Sequence, residues 1–406
     1  MRFLIHVLQS NLRVKLKVIL LLTVLPGLAL NTSAEEPPCS YVFGMSTVLS
    51  GPTAHLGINM RNGVLAALEE SNQQGGIQGR DLCLIALNDN YEPEMTVPNM
   101  HRLIEQENVL AIIGNVGTPT AIVSVPIANR NRVPFLGAFT GAGILRRTPP
   151  NPYVVNYRAS YAEETAAMVQ ALITHGRLQP NEIAFFTQRD AYGDSGFVGG
   201  IAALKENGLN DETQITHGTY ERNSLAIENG LADILLAEPE PKAVIIVGTY
   251  EPSAKFIKLA RKYDLNSLFL NVSFVGAAPL AQALDPDGDG VIVTQVVPHL
   301  DSSLPIVQDY HRAMYRFDPS IAPTYGSLEG YISTRILLHA LEKIPGEITR
   351  ESIMNGLEEL GQFDLGFNTP LKISRTEHQA SHQIWPTIIR KGKVLPFDWN
   401  HLKNMP

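Results

Sequence analysis

The sequence predicts an α/β protein built of two doubly wound parallel-sheet lobes. Three observations point there. Short apolar or β-branched runs alternate with helix-length amphipathic segments, the order in which a parallel sheet with covering helices is written. That alternation stops near Asn151-Pro152-Tyr153 and then begins again as a second series. The turns after the first strands are rich in Ser, Thr and Gly, which aim hydroxyls and backbone N–H groups into the crevice where open α/β sheets hold ligands. At 406 residues the chain exceeds one ordinary core and suits two domains.

Residues 1–17 carry Arg2, Arg13, Lys15 and Lys17 without an acid, residues 18–30 form an apolar run, and Thr32-Ser33-Ala34 follows. That order is a secretory signal peptide, residues 1–34, with cleavage after Ala34. The alternative, an uncleaved anchor, suits the run less well: it is short for a bilayer and broken by Pro26-Gly27. Glu36-Pro37-Pro38 before Cys39 is not the small apolar run of a lipoprotein signal. Removing residues 1–34 leaves 28 Lys+Arg against 40 Asp+Glu, a net charge of −12. Such a surface repels phosphate backbones, and no basic aromatic stripe opposes it, so nucleic acid is excluded as a partner.

Strands are expected at 41–48, 82–88, 109–113 and 133–136, with an SGP turn at 50–52 and a first helix closed by Gly75-Gly76. The extended piece VVNYRAS then crosses to a second lobe, ahead of a helix holding Glu163 and Glu164. There the expected order is a strand at 183–188, a helix at 195–206, a strand at 214–220, a helix at 224–237, a strand at 243–248, a helix at 253–263 and a strand at 268–273. The β-branched run at 291–300, ending in Pro298-His299-Leu300, reads as a strand returning to the first lobe, completed by helices at 305–317 and 325–344. Past Gly361 come short strands at 371–375 and 382–397, with Lys391-Gly392-Lys393 turning a hairpin. The lobes are thus 38–156 plus 298–358, and 157–297 plus 359–406, joined by a three-strand hinge. Cys39 and Cys83 open neighbouring parallel strands, so a disulfide is expected in an oxidising compartment; two inert buried thiols are the alternative.

The stretch GMSTVLSGPTAHLGINMRNGVLAALEESNQQGGIQGRDLCLIALNDN, followed by AIIGNVGTPTAIVSVPIANRNRVPFLGAFTGA, resembles the periplasmic solute-binding proteins of branched-chain amino-acid ABC transporters, the leucine/isoleucine/valine-binding family with the type I periplasmic-binding fold. The likeness continues through Tyr192-Gly193-Asp194, IIVGTYEPSAKFIKLAR and YGSLEGYISTRILLHALEK. It implies a ligand trapped between lobes that close on a hinge. Carried over residue by residue, it implies that Thr118, the backbone of Ala138, Phe139 and Thr140 meet the ligand from the first lobe, and Tyr192, Tyr250 and Ser273 from the second.

The chemistry agrees. A hydroxyl with backbone N–H groups at a helix start offers an anion several donors without a buried countercharge. Thr118 and Thr140 could instead merely cap helices, and Tyr192 and Tyr250 could be ordinary packing at strand ends. Ser273 departs from the pattern, because amino-acid-specific members place a glutamate there for the α-ammonium group; Leu56 stands where they have an aromatic residue. With Glu329 assigned to a helix of the first lobe and Glu251 turned elsewhere, zwitterionic leucine, isoleucine and valine are expected to bind poorly, and a carboxylate or amide better.

Other motifs carry less. Gly193-Asp194-Ser195-Gly196 resembles a protease nucleophile signature but has no partnering histidine motif. Residues 285–290 copy half an EF-hand loop, yet its twelfth place is Val296. His378 and His382 have i,i+4 spacing in a segment of strand character. Asn271-Val272-Ser273 is a glycosylation sequon within a predicted strand. No catalytic residue, cofactor or metal is assigned. The expected function is an exported, monomeric periplasmic protein that captures a small polar ligand, amino-acid-like, carboxylate or amide, for a membrane ABC permease. The alternatives are a ligand-sensing receptor subunit for a membrane signalling protein and, in another class, a secreted hydrolase.

Overall fold

A computed structural model describes residues 39–404, and the signal-peptide expectation for residues 1–34 lies outside them. The first sheet has the order β2-β1-β3-β4-β5, every pair parallel. Its strands are β1 (Tyr41–Thr47), β2 (Leu82–Asn88), β3 (Ala111–Ile113), β4 (Phe135–Leu136) and β5 (Val154–Val155), with α1 (Ala54–Gln73), α2 (Pro93–His101) and α3 (Thr118–Arg130) between them. Cys39 and Cys83 form a disulfide with their Cα atoms 6.1 Å apart, beside the start of the β1–β2 pairing.

After β5 the chain crosses and opens α4 (Tyr161–Thr174) with a capping box: Ser160 Oγ accepts from Glu163 N at 3.1 Å and Glu163 accepts from Ser160 N at 2.6 Å. The second series is β6 (Ile183–Gln188), α5 (Ala191–Glu206), β7 (His217–Tyr220), α6 (Glu228–Leu235), β8 (Ala243–Val247), α7 (Tyr250–Lys262), β9 (Leu268–Asn271), α8 (Ala277–Leu284) and β10 (Ile292–Gln295). There follow α9 (Pro305–Phe317), α10 (Tyr325–Leu341), α11 (Arg350–Glu358), a separate pair β11 (Gly361–Phe363) and β12 (Leu371–Ile373), and the hairpin β13 (Trp385–Arg390) and β14 (Lys393–Pro396). The second sheet runs β14-β13-β10-β9-β8-β6-β7, parallel from β7 to β10, with β13 and β14 antiparallel.

The run at 291–300 is not a strand of the first lobe. Ile292 and Val293 pair with Leu270 and Asn271, and Ile292–Gln295 pair with β13, so β10 fills the middle of the second sheet. A β-branched run buried on both faces is what such a position selects, and the ladder ends at Gln295, before Pro298. The chain crosses back only beyond Gln295. The third crossing lies beside the first, because Asn156 N donates to His378 O at 2.7 Å and Ser381 N to Tyr157 O at 2.9 Å.

In the first lobe α1 and α10 pack face to face at a glycine pair. A Cβ on Gly63 would lie 1.8 Å from Ser327 O, and one on Gly330 would lie 2.3 Å from Met60 O. Leu56, Met60, Val64, Ala67 and Leu68 recur at helical spacing and are buried against that contact. Each large apolar side chain among them contributes about 1.5–3 kcal/mol. A leucine at Gly63 would separate the helices. The approach also aims the first turns of α10, with Glu329, at the crevice between the sheets.

Candidate ligand cleft

The strands of both sheets end at one crevice, and the residues after each C-terminal end form it. In the first lobe Gly117 turns at φ 106° and Thr118 begins α3. The Thr118 hydroxyl meets the Thr140 hydroxyl at 2.6 Å, and both side chains are buried. Thr140 N donates to Ala138 O at 2.8 Å, which folds residues 138–140 into a tight turn and sends the Phe139 ring into the crevice. Tyr91, after β2, reaches the same place from a left-handed turn in which Asn90 and Tyr91 have φ of 52° and 64°. Bulky residues avoid that conformation, and strain of this kind gathers at functional sites. Asp89 holds the turn by accepting from Tyr91 N at 3.0 Å and Ser46 Oγ at 2.8 Å. A Cβ on Gly117 would meet the Tyr91 ring at 2.1 Å, so glycine is required there.

From the second sheet come Tyr161, Tyr192 and Phe274. Phe274 contacts Tyr192 at 4.7 Å, Phe139 at 5.4 Å and Tyr91 at 6.1 Å between ring centroids, and Tyr161 lies 5.2 Å from Tyr192. Tyr192 does not open an isolated turn and Tyr250 does not end a strand. Each sits in the first turn of a helix, because Asp190 caps α5 by accepting from Tyr192 N at 2.9 Å and Thr249 precedes α7. Helix starts expected at Ser195 and Ser253 are therefore one turn late, since the cap residues precede the apolar spacing. The Tyr192 hydroxyl donates to Gly248 O at 3.2 Å, and the Tyr250 hydroxyl donates across the mouth to Pro52 O. Glu92 of the first lobe meets Arg222 at 2.7 Å and Asn223 at 2.6 Å, a second bridge over the mouth.

Behind the aromatic rings lies a buried charge cluster. Arg158, on the first crossing, donates through Nη2 to Glu164 Oε1 at 3.2 Å and to Ser273 Oγ. Glu164 also accepts from Ser273 N at 2.7 Å, Ser273 Oγ at 2.9 Å and Thr294 Oγ1 at 2.6 Å. Its oxygens are thereby saturated. Glu329 Oε1 lies 3.6 Å from Arg158 Nη1, so this carboxyl is not remote from the crevice, contrary to the expectation drawn from its helix. Burial pushes the Glu329 carboxyl up to about 7, a rise that Arg158 only partly offsets. Burial alone would lower the Arg158 guanidinium, but Glu329 and Glu164 outweigh it and hold it above its usual value. The guanidinium lies 5.1 Å over the Phe139 ring and 5.7 Å from that of Tyr161. A cavity of about 20 Å³, room for about one water, is lined by Leu56, Phe139, Ser273, Gly276, Thr324 and Glu329.

The structure thus gathers Thr118, Ala138, Phe139, Thr140, Tyr192 and Ser273 at one crevice, with Tyr250 at its rim. Sequence reasoning missed Arg158, Glu164 and Tyr91. The available signal was a lone arginine inside the otherwise apolar and aromatic crossing VVNYRAS. His378 and His382 face different groups: buried His378 donates through Nδ1 to Val154 O at 2.8 Å, and His382 meets Glu163 at 2.5 Å. Among the described residues no group of three or more His, Cys, Asp or Glu is arranged to hold a metal ion.

The profile of the periplasmic binding protein family matches residues 40–393. A Leu/Ile/Val-binding protein homolog 7 of Brucella abortus is 28% identical over 335 residues, covering 78% of this chain and 81% of that protein. The crystal structure of a possible leucine/isoleucine/valine-binding protein from Rhodopirellula baltica SH 1 is 52% identical, with a TM-score of 0.87 over 89% of this chain and 97% of that one. A substrate-binding periplasmic protein from Ralstonia solanacearum is 25% identical, with a TM-score of 0.80 over 88% and 100%.

Proposed function

The chain belongs to the periplasmic binding protein family, a solute-binding protein and not an enzyme, and we propose that it captures one small polar molecule between its two lobes and delivers it to a membrane ABC permease. The candidate classes are amino-acid-like, carboxylate and amide. The observation that carries this reading is the pair of buried hydroxyls, Thr118 and Thr140, 2.6 Å apart at the C-terminal ends of two parallel strands and opposite an aromatic wall from the second lobe. A hydroxyl pair beside a helix N-terminus receives an acceptor group without desolvating a countercharge. The names of the relatives, Leu/Ile/Val-binding proteins, support an amino-acid-like size. Export through the cleaved N-terminal segment follows the same reading.

Calorimetry on a Thr118→Val, Thr140→Val double variant tests it. Binding of a ligand identified on the unaltered protein should weaken by about 1–3 kcal/mol, the value of a hydrogen bond to a charged acceptor. Unchanged affinity in the folded double variant would remove these residues from the site.

A further inference from the structure

We propose that Arg158 is the specificity-determining charge of this cleft and that it selects a ligand bearing a carboxylate and no ammonium group, an organic acid rather than an amino acid. The inference rests on the cleft being the binding site and names the ligand class within it. Arg158 is 1% exposed, and a guanidinium carries five N–H donors. Nη2 is used by Glu164 and Ser273, whereas Nε and Nη1 have no hydrogen-bond partner. Leaving charged donors buried and unsatisfied is costly, and a carboxylate is the acceptor that matches a guanidinium best. The guanidinium lies against Phe139 and Tyr161, rings of the cleft itself, and beside Ser273 and Glu329, which line its cavity.

The same cluster disfavours an α-ammonium group. Glu164 holds the place next to Ser273 where a carboxylate receptor would serve a cation, yet four donors already fill its oxygens. Glu329 faces Arg158, with Glu164 and Arg146 nearby, and burial raises its carboxyl to about 7, so that about half of it keeps its proton at neutral pH. Arg146 stands behind this cluster, its Nη2 donating to the Arg158 carbonyl at 2.9 Å and its other nitrogens to Gln379, Thr140 O and Ala142 O. An ammonium entering here meets the Arg158 guanidinium, a Glu164 carboxylate whose oxygens are already filled, and a Glu329 carboxyl that is only part-ionised. An acid meets unpaired donors and a carboxyl able to keep its proton.

The test compares one carbon skeleton in three charge states. Full-length protein, stripped by denaturing dialysis and refolded, is titrated by calorimetry with 4-methylpentanoate, its primary amide and leucine, and with benzoate and benzamide as a wider pair. The unaltered protein should bind an acid at least tenfold more tightly than the matching amide, and 4-methylpentanoate at least tenfold more tightly than leucine. Arg158→Gln should abolish the acid-over-amide preference, and Arg158→Lys, which keeps the charge and guards against misfolding, should retain part of it. Leucine or an amide binding as tightly as the acid, with Thr118→Val, Thr140→Val weakening it, would overturn the role of Arg158 while leaving the cleft in place. An acid preference that survives in folded Arg158→Gln would also overturn it. Binding of none of the five probes would overturn the inference together with the reading on which it rests.

Discussion

Replacing Glu329 by glutamine should stabilise the ligand-free protein relative to the unaltered one by an amount that grows as pH rises from about 4.5 to about 7 and stays constant above. The residue is 2% exposed, its carboxyl lies 3.6 Å from Arg158 without a hydrogen bond, and burial pushes it from an ordinary value of 4.5 up to about 7. A carboxyl raised on folding keeps its proton in the native state while the unfolded chain gives it up. Stability therefore falls as pH rises from about 4.5 to about 7 and levels off above. A shift of that size corresponds to about 3 kcal/mol at about 1.4 kcal/mol per unit. Asp89 and Asp190, also raised by burial, slope the same way in both proteins and cancel in the difference. Urea unfolding followed by circular dichroism, repeated between pH 4 and pH 8, reads the effect. The gap between Glu329→Gln and the unaltered protein should widen by about 2–4 kcal/mol across that range. A gap that stays constant with pH would show that Glu329 ionises freely in the folded protein, and the electrostatic account of the cluster would fail.

Cys39→Ser with Cys83→Ser opens a loop whose ends are 44 residues apart, so unfolding free energy should fall by about 4 kcal/mol on the chain-entropy estimate; a loss below about 1 kcal/mol in a urea titration would show that other contacts hold these strand ends. Glu92→Gln removes the charge from the bridge to Arg222 and Asn223, whose partners are part-exposed, and should weaken ligand binding by about 1 kcal/mol or less, with a smaller effect in high salt. Identical affinity at low salt in Glu92→Gln would mean that this bridge takes no part in closure.

Much of the fold was legible because its punctuation is local. The bounds of β2 and β6 match the expected 82–88 and 183–188, and α9 matches 305–317, where Pro305 stands in the first turn of the helix. The errors arose where tertiary pairing overrides local pattern. Residues 292–295 look the same on either sheet, and only pairing with Leu270, Asn271 and β13 assigns them to the second. Helix starts were read from apolar spacing, which begins a turn after the caps Asp190 and Thr249. Within the site, Thr118 and Thr140 could be read because each stands in a Gly-flanked βα turn. The contact of Arg158 with Glu329 could not, since it needs the α1–α10 approach at Gly63 and Gly330 before the two charges meet.

The central claim, one small acid held between the lobes by donors from both, is tested most directly by native mass spectrometry of the protein before and after denaturing dialysis. The account predicts a single adduct per chain whose accurate mass identifies a carboxylic acid, lost on unfolding, regained from a cell extract by the unaltered protein and not by Thr118→Val, Thr140→Val. A bare protein that takes up nothing from the extract, or an adduct that the double variant retains in full, would contradict it.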